Sequence, residues 1–224
     1  MTEPEKSDVA AKTRQRILSA ALVAFATDGF DVGLRAIAAR AGVTAGLITH
    51  YFGSKAKLRQ ECDDLILARV EQGLPQVFDA TGLQQRLDED SDDLVHSVHY
   101  CMKAFAEGGT MCDQLLAVTI AHTREMIATG VAGHLLEPSG DEDVRALMVV
   151  RFAVGVAVLD FALDPPKDAA AVADFMDHYW HQVVLPMART TNGAQFETEP
   201  GRGGSCSEPR SGGSHRSAGA RGLR

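Results

Sequence analysis

Between Thr44 and Lys55 the chain gathers groups that can hold a polyanion at two ends and leave something finer between them. Thr44 can cap a helix and turn both its hydroxyl and the helix's first amides toward a phosphate. His50, Tyr51 and Lys55 fall at or just past the far end of the same short segment, and each can bond a phosphate oxygen. Ala45, Gly46, Leu47 and Thr49 lie between, and their short or neutral side chains suit the edges of bases in a major groove. Chemistry of this kind needs a rigid frame.

The flanking residues supply one. Ile37, Ala41, Val43 and Ile48 are spaced to pin two short helices, about 34–41 and 44–51. Ala38 is small enough for their crossing, and Gly42 can take the positive φ of the turn. Upstream, Ile17, Leu18, Ala21, Leu22 and Phe25 recur at i, i+3, i+4 and predict an amphipathic helix over 12–28. Thr13 is its expected N-cap, and Asp28-Gly29 its stop. Ser54 caps a further helix from Lys55, with Leu58, Cys62, Leu65, Ile66 and Val70 inward, which Gly73 and Pro75 bend or end.

A net charge of −8 over 224 residues speaks against nucleic acid until the chain is divided. Residues 1–60 hold nine Lys/Arg against five Asp/Glu, whereas residues 61–191 hold eight against twenty-two. Screening confines charge effects to roughly 8–10 Å at physiological salt, so a basic head can work on an acidic body. The polar amino terminus has no apolar signal core, and four scattered cysteines without a CxxC pattern fit reduced, mostly buried thiols in a cytoplasmic protein. The apolar stretch Ala146–Leu163 is interrupted by Arg151 and Asp160, and reads as a buried helix rather than a membrane segment.

Three stretches, TRQRILSAALVAFATDGF, LRAIAARAGVTAGLITHYF and the following GSKAKL, resemble the TetR family of bacterial transcriptional repressors. The likeness covers about residues 10–70, and its HYF-x-SK ending is the most specific part. It implies DNA-contact roles for Thr13, Arg35, Thr44, Ala45, Thr49, His50, Tyr51 and Lys55, with Gly46 and Leu47 completing the reading surface. Three residues depart from the family pattern. Gly33 stands where Thr or Ser usually caps the second helix, Ala45 replaces a frequent Lys, and Thr49 a frequent Tyr. Less side-chain reach predicts a different operator or more indirect readout.

Past residue 70 the pattern stays helical: about 91–107, from Thr110 to near 130, a short element over 131–137, then 141–163 and 168–186. The fold class expected is therefore all-α, a three-helix helix-turn-helix domain followed by a larger helical domain. The boundaries are a disordered arm at 1–9, the head at 10–70, a ligand-binding and dimerisation domain at 71–190, and a disordered Gly/Ser/Arg-rich tail at 191–224. The resemblance implies that the last two helices pair with a second copy, through Leu147, Val150, Val154, Val158, Phe161, Phe175, Tyr179 and Val183. It also implies a pocket for a small-molecule effector, for which Met102, Phe105, Met111, Leu115, Leu116, Ile120 and Met126 are the candidates.

The reading is thus a homodimeric regulator of double-stranded DNA carrying inverted repeats, not an enzyme, with no cofactor. Two alternatives stay open. His96 and His99, or His178 and His181, could share a helix face and with Cys101 or Cys112 bind a metal. The chain could also be a small all-α enzyme or carrier with a degenerate head, although it has no phosphate loop, nucleophile elbow or HExxH.

Overall fold

The computed structural model describes residues 3–77 and 80–190, with side chains placed over 8–74 and 92–189. Every element within them is helical: α1 (Glu3–Asp28), α2 (Leu34–Ala41), α3 (Ala45–Phe52), α4 (Lys55–Val77), α5 (Ala80–Glu107), α6 (Thr110–Ala132), α7 (Glu142–Leu163), α8 (Ala169–Tyr179), a π-helical turn (Trp180–Val184) and α9 (Leu185–Thr190). The expected tail, residues 191–224, lies outside the described residues.

The head assembles as its apolar spacing requires. Ile17, Ala21 and Phe25 of α1 are fully buried, as are Ile37 of α2, Ile48 of α3 and Leu58, Cys62 and Ile66 of α4. Burial of each large side chain contributes about 1.5–3 kcal/mol. This core does not stop at the end of the head. Tyr100, Cys101 and Ala104 of α5 and Met111 and Leu115 of α6 belong to the same apolar cluster.

Several boundaries differ from expectation, each for a local reason. Thr13 is not a cap: α1 starts at Glu3, and the Thr13 hydroxyl donates back to the Val9 carbonyl at 2.8 Å. Good helix formers such as Ala10 and Ala11, with the exposed Lys12–Asp8 pair at 2.7 Å, carry the helix through residues 3–9, read above as a disordered arm. Helix α4 continues through Gly73 and Pro75 to Val77, and α5 begins at Ala80 instead of 91. No separate element covers 131–137; α6 runs to Ala132, and a turn with His134 at φ 58 follows. The terminal helix passes Pro186, which lacks an amide hydrogen and would collide with the carbonyl four residues back. The π-helical turn just before it opens the backbone at that point.

Among the described residues, α7 alone is long and apolar enough to cross a membrane. It buries one face in the protein, leaves another exposed, and carries a buried anchor. Arg145, 2 % exposed, donates to the Glu137 carbonyl at 2.8 Å and through Nε to the Ala188 carbonyl at 3.0 Å, tying α7 to the loop before it and to α9.

A polar knot joins the head to the following helices. Asp63 of α4 is 8 % exposed; it accepts from the Tyr100 hydroxyl at 2.6 Å and from Arg59 Nε at 3.1 Å. The Arg59 guanidinium lies 3.2 Å from the Phe30 ring centre and also donates to Glu107 at 2.8 Å. Burial works against its charge, but the bond to Glu107 and the fields of Tyr100 and Asp63 outweigh that and raise its pKa. Tyr100→Phe should lower unfolding free energy by about 1.5–3 kcal/mol, the worth of a hydrogen bond to a charged group. Asp63→Ala, which leaves the buried Tyr100 hydroxyl without its acceptor and Arg59 with Glu107 alone, should cost about 3 kcal/mol. Urea denaturation measures both; equal and small losses would mean the knot is solvated and unimportant.

Candidate nucleic-acid interface

The turn has the geometry its residues suggest. Gly42 sits at φ 64, ψ 39, where a side chain would strain the backbone, and its amide and that of Val43 close onto the end of α2. Thr44 caps α3: its Oγ1 accepts from the Leu47 amide at 3.2 Å. Having accepted, the hydroxyl keeps its own hydrogen to donate outward. Ser54 caps α4 in the same way, accepting from the Lys57 amide at 3.1 Å. Neither α2 nor α3 has an acid in its first turn to offset the positive end of its dipole from within.

On α3 the exposed residues are Gly46, Thr49 and His50, and Gly53 continues them just past its end. Their spacing of three, four and seven places them in one stripe. Ile48 and Phe52 are buried on the opposite side. Tyr51 packs its half-buried ring on the core, with its centre 5.5 Å from that of His50. Arg35 is exposed on the first turn of α2, and Lys55 is half-exposed at the start of α4.

Two expected reading residues sit differently. Ala45 is half-buried and packs against the core cluster, because it starts α3 on the side facing its neighbours. Leu47 is also half-buried. The Thr49 hydroxyl is turned onto its own helix, donating to the Ala45 carbonyl at 3.2 Å.

The cations of the head divide into two groups. Arg14 pairs with Glu61 and covers the Phe52 ring at 4.9 Å; Arg40 pairs with Asp28 at 3.3 Å; Arg59 belongs to the knot. These brace one helix against another. Among the described residues no carboxylate pairs with Arg16, Arg35, Lys55 or Lys57, which leaves them for an outside anion. Lys57 was not among the expected contacts. Its stem lies over Gly53, its Cδ 3.5 Å from where a Cβ would stand, at the end of the exposed stripe.

The likeness to known proteins agrees with this arrangement. The profile of bacterial regulatory proteins of the tetR family matches residues 17–62, and that of the tetracyclin repressor-like C-terminal domain matches residues 92–193. The HTH-type transcriptional regulatory protein RaaS of Mycobacterium tuberculosis is 32% identical over 177 residues, covering 76% of this chain and 81% of that protein. The chain belongs to the TetR family. Solved structures share the fold at lower identity. A TetR-family regulator from Rhodococcus sp. superposes with a TM-score of 0.51 at 18% identity, covering 79% of this chain and 99% of that one. A TetR/AcrR-family regulator reaches 0.53 at 21%, covering 78% and 99%. This TetR-family transcriptional regulator therefore carries a helix-turn-helix DNA-binding domain followed by a helical C-terminal domain.

The C-terminal domain of the regulator holds a partly open cavity of about 160 Å³. Met102 and Phe105 of α5 and Leu115 of α6 line it, as expected of pocket residues. Met111, Leu116, Ile120 and Met126 do not. One face of α6, carrying Leu115 and Thr119, meets the cavity. Met111 lies a turn nearer the head core, and Met126 packs on the cluster around Val149 and Val184. Val70 and Leu74 of α4 complete the wall on the head's side.

The expected dimer residues are largely interior. Val150 is buried, Phe161 packs on Leu94 and Val172, and Val183 packs on the cluster of Val149 and Ala153. Val154, Phe175 and Tyr179 line the cavity, and Leu147 and Val158 are half-buried. The outward stripe is Val144, Met148, Phe152, Leu159 and Leu163, from 49% exposed at Phe152 to 77% at Leu163. Because α7 is apolar on both faces, periodicity could not say which face is inside.

The histidine pairs are occupied otherwise. His99 shares a 2.7 Å hydrogen bond with the Pro166 carbonyl and stacks edge-on to Phe161, and burial lowers its pKa. His181 meets Asp177 at 3.2 Å. Among the described residues no three His, Cys, Asp or Glu side chains gather as a metal site. Burial pushes the Cys62 and Cys101 thiols up to about 12, far from thiolate chemistry at neutral pH.

The bare cap of α2 offers a direct test. Gly33 has φ −80 and ψ 153, a backbone any residue adopts, and an added Cβ would meet nothing within 4 Å. Gly33→Thr should raise stability by only a few tenths of a kcal/mol. Its hydroxyl at the phosphate backbone should tighten duplex binding about five-fold, read by fluorescence anisotropy. Unchanged affinity would show that the α2 start does not face phosphate.

Proposed function

We propose that this regulator is a cytoplasmic, homodimeric repressor that binds inverted-repeat operators and lets go when a small molecule fills the C-terminal cavity. The observation that carries the reading is the exposed stripe Gly46, Thr49, His50 and Gly53, bounded by Thr44 at one end and Lys55 and Lys57 at the other. A groove-reading helix with phosphate donors at both ends has the division of labour that duplex recognition uses. RaaS, the mycobacterial relative, is itself described as a transcriptional regulatory protein, which supports the same reading.

The second copy follows from α7. Five large apolar side chains in register along one helix form a contiguous patch of the kind that marks an interface. Such a stripe is complementary to itself when two copies meet across a two-fold axis. Two heads so related would enter successive major grooves of a palindrome. In the cavity, a ligand changes DNA affinity to the extent that it binds the competent and incompetent states unequally.

Selection from random duplexes should recover an inverted repeat with half-sites about one helical turn apart. Arg35→Ala and Lys55→Ala should each weaken binding to every sequence and reduce the slope of log affinity against log salt by about 1. Recovery of no palindrome, with full affinity in both variants, would overturn the contact assignment.

For the interface, a Phe152→Glu, Leu159→Glu double variant places two charges in the stripe of each copy. Sedimentation should show monomers, with operator affinity reduced at least about tenfold, because only one head remains per particle. A variant that stays dimeric places the interface elsewhere.

A further inference from the structure

Among the described residues, Arg69 and the hydroxyls of Ser97 and Thr119 in the cavity wall are bonded within the protein, whereas the Tyr179 hydroxyl is not. Arg69 Nη2 lies 2.5 Å from Asp93 Oδ2, and its Nη1 donates to Ser97 Oγ at 3.3 Å. Ser97 Oγ in turn donates to the Asp93 carbonyl at 2.7 Å, and Thr119 Oγ1 to the Leu115 carbonyl at 2.8 Å. The Tyr179 hydroxyl has no hydrogen-bond partner among the described residues, although its ring stacks on Phe175 at 6.0 Å between centres. Burial, with the nearby charge of Asp160, raises its pKa, so it stays a neutral donor. A half-buried hydroxyl in an apolar wall gains from a partner it does not yet have.

Size and charge narrow the ligand further. A volume of about 160 Å³ matches the order of dry, apolar cavities, about 150 Å³, that take up one benzene-sized molecule. Among the described residues the cation in the wall is Arg69, already neutralised by Asp93, so a carboxylate would lose its water and meet no uncompensated charge there. It would also enter the acidic part of the chain, where residues 61–191 hold twenty-two Asp/Glu against eight Lys/Arg.

We propose that the cavity takes an uncharged molecule of about one aromatic ring bearing a single hydrogen-bonding group, received by Tyr179, and that Asp93 excludes carboxylates by neutralising Arg69. The assignment rests on reading this cavity as the effector site. It adds two specificity-determining residues, Tyr179 for the polar group and Asp93 for charge.

Calorimetry of the full chain with toluene, benzyl alcohol and benzoate, one ring with three substituents, tests it at millimolar probe. Benzyl alcohol should bind tightest, at one molecule per chain, and about tenfold or more ahead of benzoate. Tyr179→Phe should weaken benzyl alcohol about five-fold and leave toluene within about two-fold. Asp93→Asn, which releases Arg69, should strengthen benzoate while the other two change little. Benzoate binding as tightly as benzyl alcohol to the unaltered chain would overturn the proposal, and that comparison needs no variant to fold. So would no binding of any probe, or a Tyr179→Phe loss that is equal for toluene. Operator binding measured on the same preparation separates the two readings. If it persists while no probe binds, the ligand assignment alone fails; if probes bind in the expected order and no operator is held, the DNA reading fails.

Discussion

The buried carboxylate of Asp63 is the constraint on which the rest of the regulator depends. A charge taken out of water must be met on several sides or be neutralised, and here Tyr100 and Arg59 meet it together. Tyr100 comes from α5, Arg59 from α4, and Arg59 also lies over Phe30 beyond the end of α1. One carboxylate thus ties α4 to α5, and through Arg59 to the segment that follows α1. The aromatic rings around it reinforce the choice, with Phe30 and Tyr100 edge to face at 5.0 Å between centres. The joint is stiff because its alternatives leave a charge unpaired.

That joint governs how the two ends of the molecule can communicate. Helix α4 begins at Lys55, beside the reading stripe, and reaches the cavity at Val70 and Leu74. Tyr100 on α5 adjoins Cys101 and Met102, which line the same cavity. Arg69 binds Asp93 and Ser97 nearly two turns along α4 from Asp63, forming a second tie between the same pair of helices. Packed helices with two such ties shift as a unit rather than bend freely. A displacement of α4 at the cavity therefore has few outlets other than the orientation of α3 to which its other end is attached.

What was legible in the sequence was the chemistry of short range. The bounds of α2 and α3, Gly42 in the left-handed turn and Thr44 as a cap are decided by residues within one or two turns of each other. The acids at 141–143 likewise announce α7, with Asp141 capping it onto the Val144 amide at 3.0 Å. The knot was not legible, because Tyr100 and Asp63 are 37 residues apart and nothing local marks them as partners. The inner face of α7 was not legible either. A helix apolar all round gives no moment to read, so nothing local sets the exposed Val144, Met148 and Phe152 apart from the buried Val149, Val150 and Ala153. Thr13 misled for a simpler reason: a hydroxyl that can cap a helix can also bond back within one, and favourable residues before it let α1 continue.

The departures of the head then acquire a structural meaning. Ala45 packs inward, Thr49 bonds its own helix, and Gly46 and Gly53 have no side chain, so the exposed stripe is low and nearly bare. A bare surface can lie closer to the floor of a groove, but it brings few donors to tell one base pair from another. In the proposed complex Thr44, Arg35, Lys55 and Lys57 hold phosphates, and such contacts carry sequence information through the shape of the backbone they require. In the proposed dimer, two heads fixed by a stiff joint and a shared α7 stripe would make the spacing and deformability of the duplex the quantities most strongly tested. On that reading discrimination shifts from the recognition helix to the rigidity behind it, and the buried carboxylate that sets that rigidity would contribute to specificity without touching DNA.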